Sequence, residues 1–175
     1  MRYLALIKNE NFTNKDSENL KKILRESGFT VYDVRIGKYI EVDYEGKEAL
    51  GEKIAKTLSS QLIKEHEIEI IEEPLKLLIK EGRCWEAHET LERIRDTKYS
   101  DKEIKEKINN IIKLCAATVH YMRGNVETAI RIYNDALQKG IDKSILSDLG
   151  IADLMALIEN KEPLNFFEML SKGKF

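Results

Sequence analysis

His88, Glu89 and Glu92 crowd together in Trp85-Glu86-Ala87-His88-Glu89-Thr90-Leu91-Glu92, and His120 stands behind Ala116-Ala117-Thr118-Val119. Imidazoles and carboxylates at such spacing can exchange a proton, hold a metal ion or build a hydrogen-bond network. On a helix, His88 and Glu92 lie one turn apart on the same face. A second, antiparallel helix carrying His120 behind small residues would bring two imidazoles and two carboxylates together inside a bundle. Polar groups that cost free energy to bury are kept because they are paired or because they do chemistry.

Three uses of this cluster stay open on sequence. In the first, Trp85, His88, Glu89, Glu92, Lys113 and His120 form a structural polar cluster that fixes helix register, with Lys113 paired to a glutamate. In the second, His88, Glu92 and His120 make a two-His, one-carboxylate set for a divalent transition metal, with Glu89 or a backbone carbonyl holding a ligand imidazole from behind. In the third, a histidine beside a carboxylate does acid–base work or binds a ligand in a metal-free pocket. No nucleophile with an obvious base stands near it. His66 is separate, at the start of a strand, and reads as a surface residue.

These side chains need elements to position them. The chain has 175 residues, 42% hydrophobic and 34% charged, with a net charge of −2, enough for one ordinary domain or two small ones. The near balance of charge gives no case for nucleic acid or membrane as partner. A Gly-rich phosphate loop, a G-x-S-x-G elbow and a basic stripe with interleaved aromatics are all missing. Cys84 and Cys115 have neither CxxC nor zinc spacing and read as buried free thiols, which fits a reducing cytoplasm. The stretch Met1–Lys8 is too short for a signal peptide. No apolar run approaches the roughly 20 residues of a membrane helix.

Residues 1–73 read as βαββαβ. Strands are expected at Tyr3–Lys8, Phe29–Ile36, Tyr39–Tyr44 and Glu65–Ile71. Helices are expected at Asp16–Ser27, with Leu20, Ile23 and Leu24 inward and Gly28 closing it, and at Lys47–Leu62. Gly37-Lys38 marks a bend. This split-βαβ order predicts a four-stranded antiparallel sheet with two helices on one face and the other face left open for a partner.

Residues 74–175 read as an all-α helical bundle. Pro74 opens the first helix. Further helices are expected at Trp85–Arg95, Ser100–Met122, Val126–Gln138, Lys143–Glu159 and Glu162–Ser171, with Ser100 and Glu103 as a capping box. Gly82 with Ala87, and Gly124 with Ala129, repeat at a helix start and suggest helical hairpins packed into one compact bundle. The fold class is therefore α+β.

Val31-Tyr32-Asp33-Val34-Arg35-Ile36-Gly37-Lys38-Tyr39-Ile40-Glu41 resembles the V-x-D-V-R-x-G-K-Y-I-E stretch of the PurS family, the small subunit of phosphoribosylformylglycinamidine synthase. The likeness extends over about residues 2–73, although Asn14-Lys15-Asp16-Ser17 stands where that family has Asp-Pro-Gln-Gly. It implies a non-catalytic subunit that dimerises and bridges the large synthase subunit to its glutaminase. Arg35, Gly37 and Lys38 carry over as partner- or ligand-binding positions. There a glycine permits an irregular backbone, and cations can hold a carboxylate or phosphate.

The segments Trp85-Glu86-Ala87-His88-Glu89-x-Leu91-Glu92 and Ile112-Lys113-Leu114-Cys115-Ala116-Ala117-x-x-His120-x-x-x-Gly124-Asn125 resemble the family known as domain of unknown function 309. This second likeness covers about residues 75–140, with Lys113 where that family usually has Gln. It brings no reaction with it.

Together these readings predict a cytoplasmic assembly or adaptor protein with no activity of its own and no cofactor. It would be a homodimer through its N-terminal sheet, working through an apolar open sheet face and strand edges, with the large synthase and glutaminase subunits as further partners. The rival is a metal-binding protein or metal-dependent enzyme centred on His88, Glu92 and His120.

Overall fold

The computed structural model describes residues 1–175. The protein is α+β and divides into two compact units, residues 1–72 with 122–124, and residues 73–121 with 125–175. No helix is long and apolar enough to cross a membrane.

The first unit runs β1 (Arg2–Lys8), α1 (Ser17–Glu26), β2 (Thr30–Ile36), β3 (Tyr39–Glu45), α2 (Gly51–Thr57) and β4 (Leu62–Glu67). The sheet order is β2-β3-β1-β4, and every neighbouring pair is antiparallel. Because β3 lies between β1 and β2, the α1 crossover makes a split βαβ unit. On one face Ala5, Ile7, Val34, Ile36, Ile40 and Val42 pack with Leu20 and Leu24 of α1 and Ile54 and Ala55 of α2. Ile23 is exposed, contrary to the inward position expected from spacing. Leu20 and Leu24 already form the apolar stripe of this short helix, and Ile23 falls on its flank.

Strand β2 breaks simple alternation. Its register shifts between Val31 and Asp33, so Val31 and Val34 are both buried while Tyr32 is exposed. This is a β-bulge, and a second register shift occurs where β1 meets β4, between Leu6 and Ile7. Both β2 and β4 are edges of the sheet. Irregular edges discourage a further strand from adding, which argues against the strand-edge docking expected from sequence.

The second sheet face is not the apolar surface expected. Leu4 pairs with Asp43, Leu6 with Glu41, and Arg35 with Glu41, so this face mixes leucines with charged side chains, and all five residues are buried, leaving the face neither wholly apolar nor open.

The last strand also lies earlier in the chain than its expected span of Glu65–Ile71. Ser59 adopts φ 55, which ends α2. Lys8 N then donates to Gln61 O at 2.9 Å, and Ser60 Oγ donates to Lys8 O at 2.6 Å. These bonds draw the chain into the sheet by Leu62. Ile68 is buried just past the strand end and Ile70 is exposed.

The second unit holds α3 (Leu75–Lys80), α4 (Cys84–Lys98), α5 (Lys102–Met122), α6 (Val126–Lys139), α7 (Lys143–Asp148), α8 (Leu154–Glu159) and α9 (Pro163–Ser171). Helix α3 packs on α4, and both α6 and α8 pack on α9. Tyr121, Tyr133, Phe166 and Phe167 make an aromatic core with centroids 5.1 to 6.0 Å apart. Asp101, not Ser100, caps α5, its Oδ1 accepting from Glu103 N at 2.8 Å and Ile104 N at 3.2 Å. A carboxylate at that position also meets the positive end of the helix dipole. The single helix expected over Lys143–Glu159 is two, because Gly150 at φ 75 ends α7 and Ile151 N donates back to Leu146 O.

Gly82 closes α3 at φ 70, and a Cβ there would stand 2.3 Å from Ser171 O. Gly82→Ala is therefore expected to destabilise the fold by about 2–4 kcal/mol, from left-handed strain plus a clash with backbone that cannot rotate away. Urea denaturation of the variant beside Gly150→Ala checks this. Gly150 has a closely similar φ of 75 but nothing within 4 Å of its Cβ position, and its variant should lose clearly less.

Candidate functional site

Helix α4 buries Cys84, Glu86, Ala87 and Leu91. Its flank leaves His88, Glu89 and Glu92 half-buried, with side-chain exposures of 23%, 39% and 40%. His88 Nδ1 lies 3.3 Å from Glu89 Oε1, and Nε2 lies 3.7 Å from Glu92 Oε1. One ligand atom from each of the three residues falls within 4.8 Å of the other two. His120 is outside this group. It sits half-buried in the last turn of α5, its carbonyl accepting from Asn125 N. Trp85 is half-buried at the start of α4.

Lys113 does not turn to a glutamate, as the structural reading expects. Its Nζ meets Asp135 Oδ2 at 2.6 Å, and Lys139 shares the same oxygen at 3.4 Å. Both lysines line a groove of about 720 Å³ together with Arg95, Glu103, Glu106 and Lys107. Each cation there already holds a carboxylate of this chain: Arg95 holds Asp96, and Lys107 holds Glu103 and Asp142.

In the first unit, the positions expected to bind a partner divide by exposure. Arg35 is fully buried, its Nη1 donating to Asp33 Oδ2 at 2.9 Å and its Nε to Glu41 Oε1 at 3.2 Å. Gly37 is buried, and its carbonyl accepts from Asn9 Nδ2 at 2.8 Å. Only Lys38 is exposed, its Nζ 5.5 Å from the Tyr39 ring centroid. His66 is half-buried near the end of β4, where its Nδ1 lies 2.7 Å from Glu67 O. Both cysteines are free and buried, and burial pushes the Cys115 thiol up to about 12.

Two ionic centres escaped the sequence reading. In the helical unit, Arg83 makes a bidentate pair with Glu86, Nε to Oε1 at 2.8 Å and Nη2 to Oε2 at 2.7 Å. Its Nη1 also reaches Glu73 and Glu81. The signal was Arg-x-x-Glu spacing at a helix start, which puts the two on one face. In the sheet unit, Asp33, Arg35 and Glu41 share a face because of strand period 2, a pattern visible once the bend at Gly37 is placed. Burial alone would push Asp33 up, but the cations Arg35 and Arg123 outweigh it and hold the carboxyl below its usual range.

The fold and these sites define a βαββαβ sheet unit joined in sequence to a helical unit, each built round a buried guanidinium. Residues 75–132, from α3 into α6, match the model of a family described as Domain of unknown function (DUF309). No curated protein and no solved structure was found to match the chain. The family match lies wholly within the helical residues after Pro74 and carries no described activity.

Arg83→Ala leaves Glu86, which has no exposed surface, without its bidentate partner. The expected cost is about 3–5 kcal/mol, while the double change Arg83→Met with Glu86→Leu should lie closer to the parent protein. Chemical denaturation of both variants decides between them. Asp33 binds fewer protons folded than unfolded, so its contribution to stability is complete above the ordinary carboxylate range. It fades as pH falls through the lowered folded value. The stability gap between the parent and Asp33→Asn should therefore close on acidification from about pH 6 to about pH 2. A gap that stays constant over that range would overturn the assignment.

Proposed function

We propose that this chain is a non-catalytic assembly protein whose first unit is of the PurS type. The observation that carries the reading is the β2–β3 hairpin. Its residues Val31 to Glu41 are the stretch that resembles PurS, and polar groups there are already bound within the same unit: Arg35 to Asp33 and Glu41, and the Gly37 carbonyl to Asn9. A stretch spent on fixing a hairpin suits a docking scaffold better than a reaction centre. Arg35 and Gly37 then set the hairpin shape, and Lys38 with Tyr39 is the part offered to a partner. Docking through this turn also avoids the irregular edges of the sheet.

On this reading the chain is a homodimer in solution and binds the large synthase and glutaminase subunits. Size-exclusion chromatography with light scattering is expected to give twice the mass of one chain, and a joint peak when both subunits are added. Lys38→Glu reverses the exposed charge without touching the core and should weaken the joint complex at least tenfold. A monomer that elutes apart from both subunits sinks the proposal.

A further inference from the structure

His88 presents its ring to two carboxylates at once, at 3.3 Å from Glu89 and 3.7 Å from Glu92. Those separations are long for N–H···O hydrogen bonds, which cluster near 2.9–3.0 Å. A metal ion takes only one of the two ring nitrogens. On Nδ1 it would meet Glu89 at 3.3 Å, a separation that bonds of about 2.0–2.2 Å at tetrahedral angles set between neighbouring donors, and one donor atom from each of His88, Glu89 and Glu92 falls within 4.8 Å of the other two. A second observation points the same way: Nδ1 of His88 is a buried atom without a hydrogen-bond partner. An imidazole nitrogen left in that condition is open to a Lewis acid.

We propose that His88, Glu89 and Glu92 form a site for a divalent transition-metal ion. The imidazole favours zinc, cobalt, iron or manganese over magnesium or calcium, and the two carboxylates balance the charge of a dication. All three ligands come from α4, whose start is held by the buried Arg83–Glu86 pair and whose inner face is locked by Ala87 and Leu91. The Glu89 and Glu92 side chains are partly exposed, so they can swing in by rotating about χ angles without moving the helix. Their exposure also leaves outer coordination positions to water, the arrangement of an open site. The set differs from the one expected on sequence, because Glu89 takes the place assigned to His120.

The test uses the full chain, stripped with a chelator and titrated with Co²⁺ and Zn²⁺ by calorimetry, with cobalt d–d absorption as a second readout. One ion per chain is expected. His88→Ala should weaken binding at least 100-fold, Glu89→Gln and Glu92→Gln each at least tenfold, and His120→Ala should leave it unchanged. Circular dichroism confirms that each variant is folded, which these half-exposed positions favour. Absence of saturable binding, binding that survives His88→Ala, or an equal loss in His120→Ala would each overturn the proposed ligand set.

Discussion

A guanidinium withdrawn from water costs several kcal/mol unless carboxylates meet it in good geometry. Arg35 and Arg83 are both buried, and around each the backbone is arranged to supply those carboxylates. For Arg35 the supply comes from strand alternation, with Asp33 two residues before it and Glu41 directly across the hairpin. For Arg83 it comes from helix periodicity, with Glu86 on the first turn of α4. If the hairpin slipped by one residue, every side chain of β2 would change face and Arg35 would lose Glu41. The ionic pairs therefore specify register more than they add stability.

This constraint separates structural charge from charge left over for recognition. Groups tied to Arg35 and Arg83 are occupied. Lys38 at the hairpin turn and the His88, Glu89 and Glu92 flank of α4 are not bound in that way. They lie on different units, one on a turn and one on a helix flank. The helical family match covers the second of these and not the first.

Sequence made the element types legible because the periods are clean. The apolar positions of β3 alternate, β1 is a short continuous apolar run, Leu20 and Leu24 recur one helical turn apart, and the run after Pro74 keeps helical spacing. Local backbone events stayed hidden. A bulge at Val31–Asp33, a left-handed Ser59 and a left-handed Gly150 each redirect the residues beyond them, and none changes the hydrophobic pattern enough to be read. The site was legible in part for the same reason. His88, Glu89 and Glu92 are close because local helix geometry makes them so. Lys113 finds Asp135 on another helix, and partner choice between helices is set by packing that one sequence does not display.

The close approach at Gly82 and Gly173 has a kinetic side. Lys80 O stands 2.1 Å from a Cβ placed on Gly173, and Lys80 Nζ donates to Phe175 O across a sequence separation of 95 residues. The first and last helices of the unit thus meet, closing it into a loop, whereas stacked hairpins would leave two free ends. Closing a loop of that length costs on the order of 4 kcal/mol of chain entropy before any contact rewards it. An open array can melt from its ends one repeat at a time. A closed one should fold late, when its ends join, and then unfold as a single cooperative body.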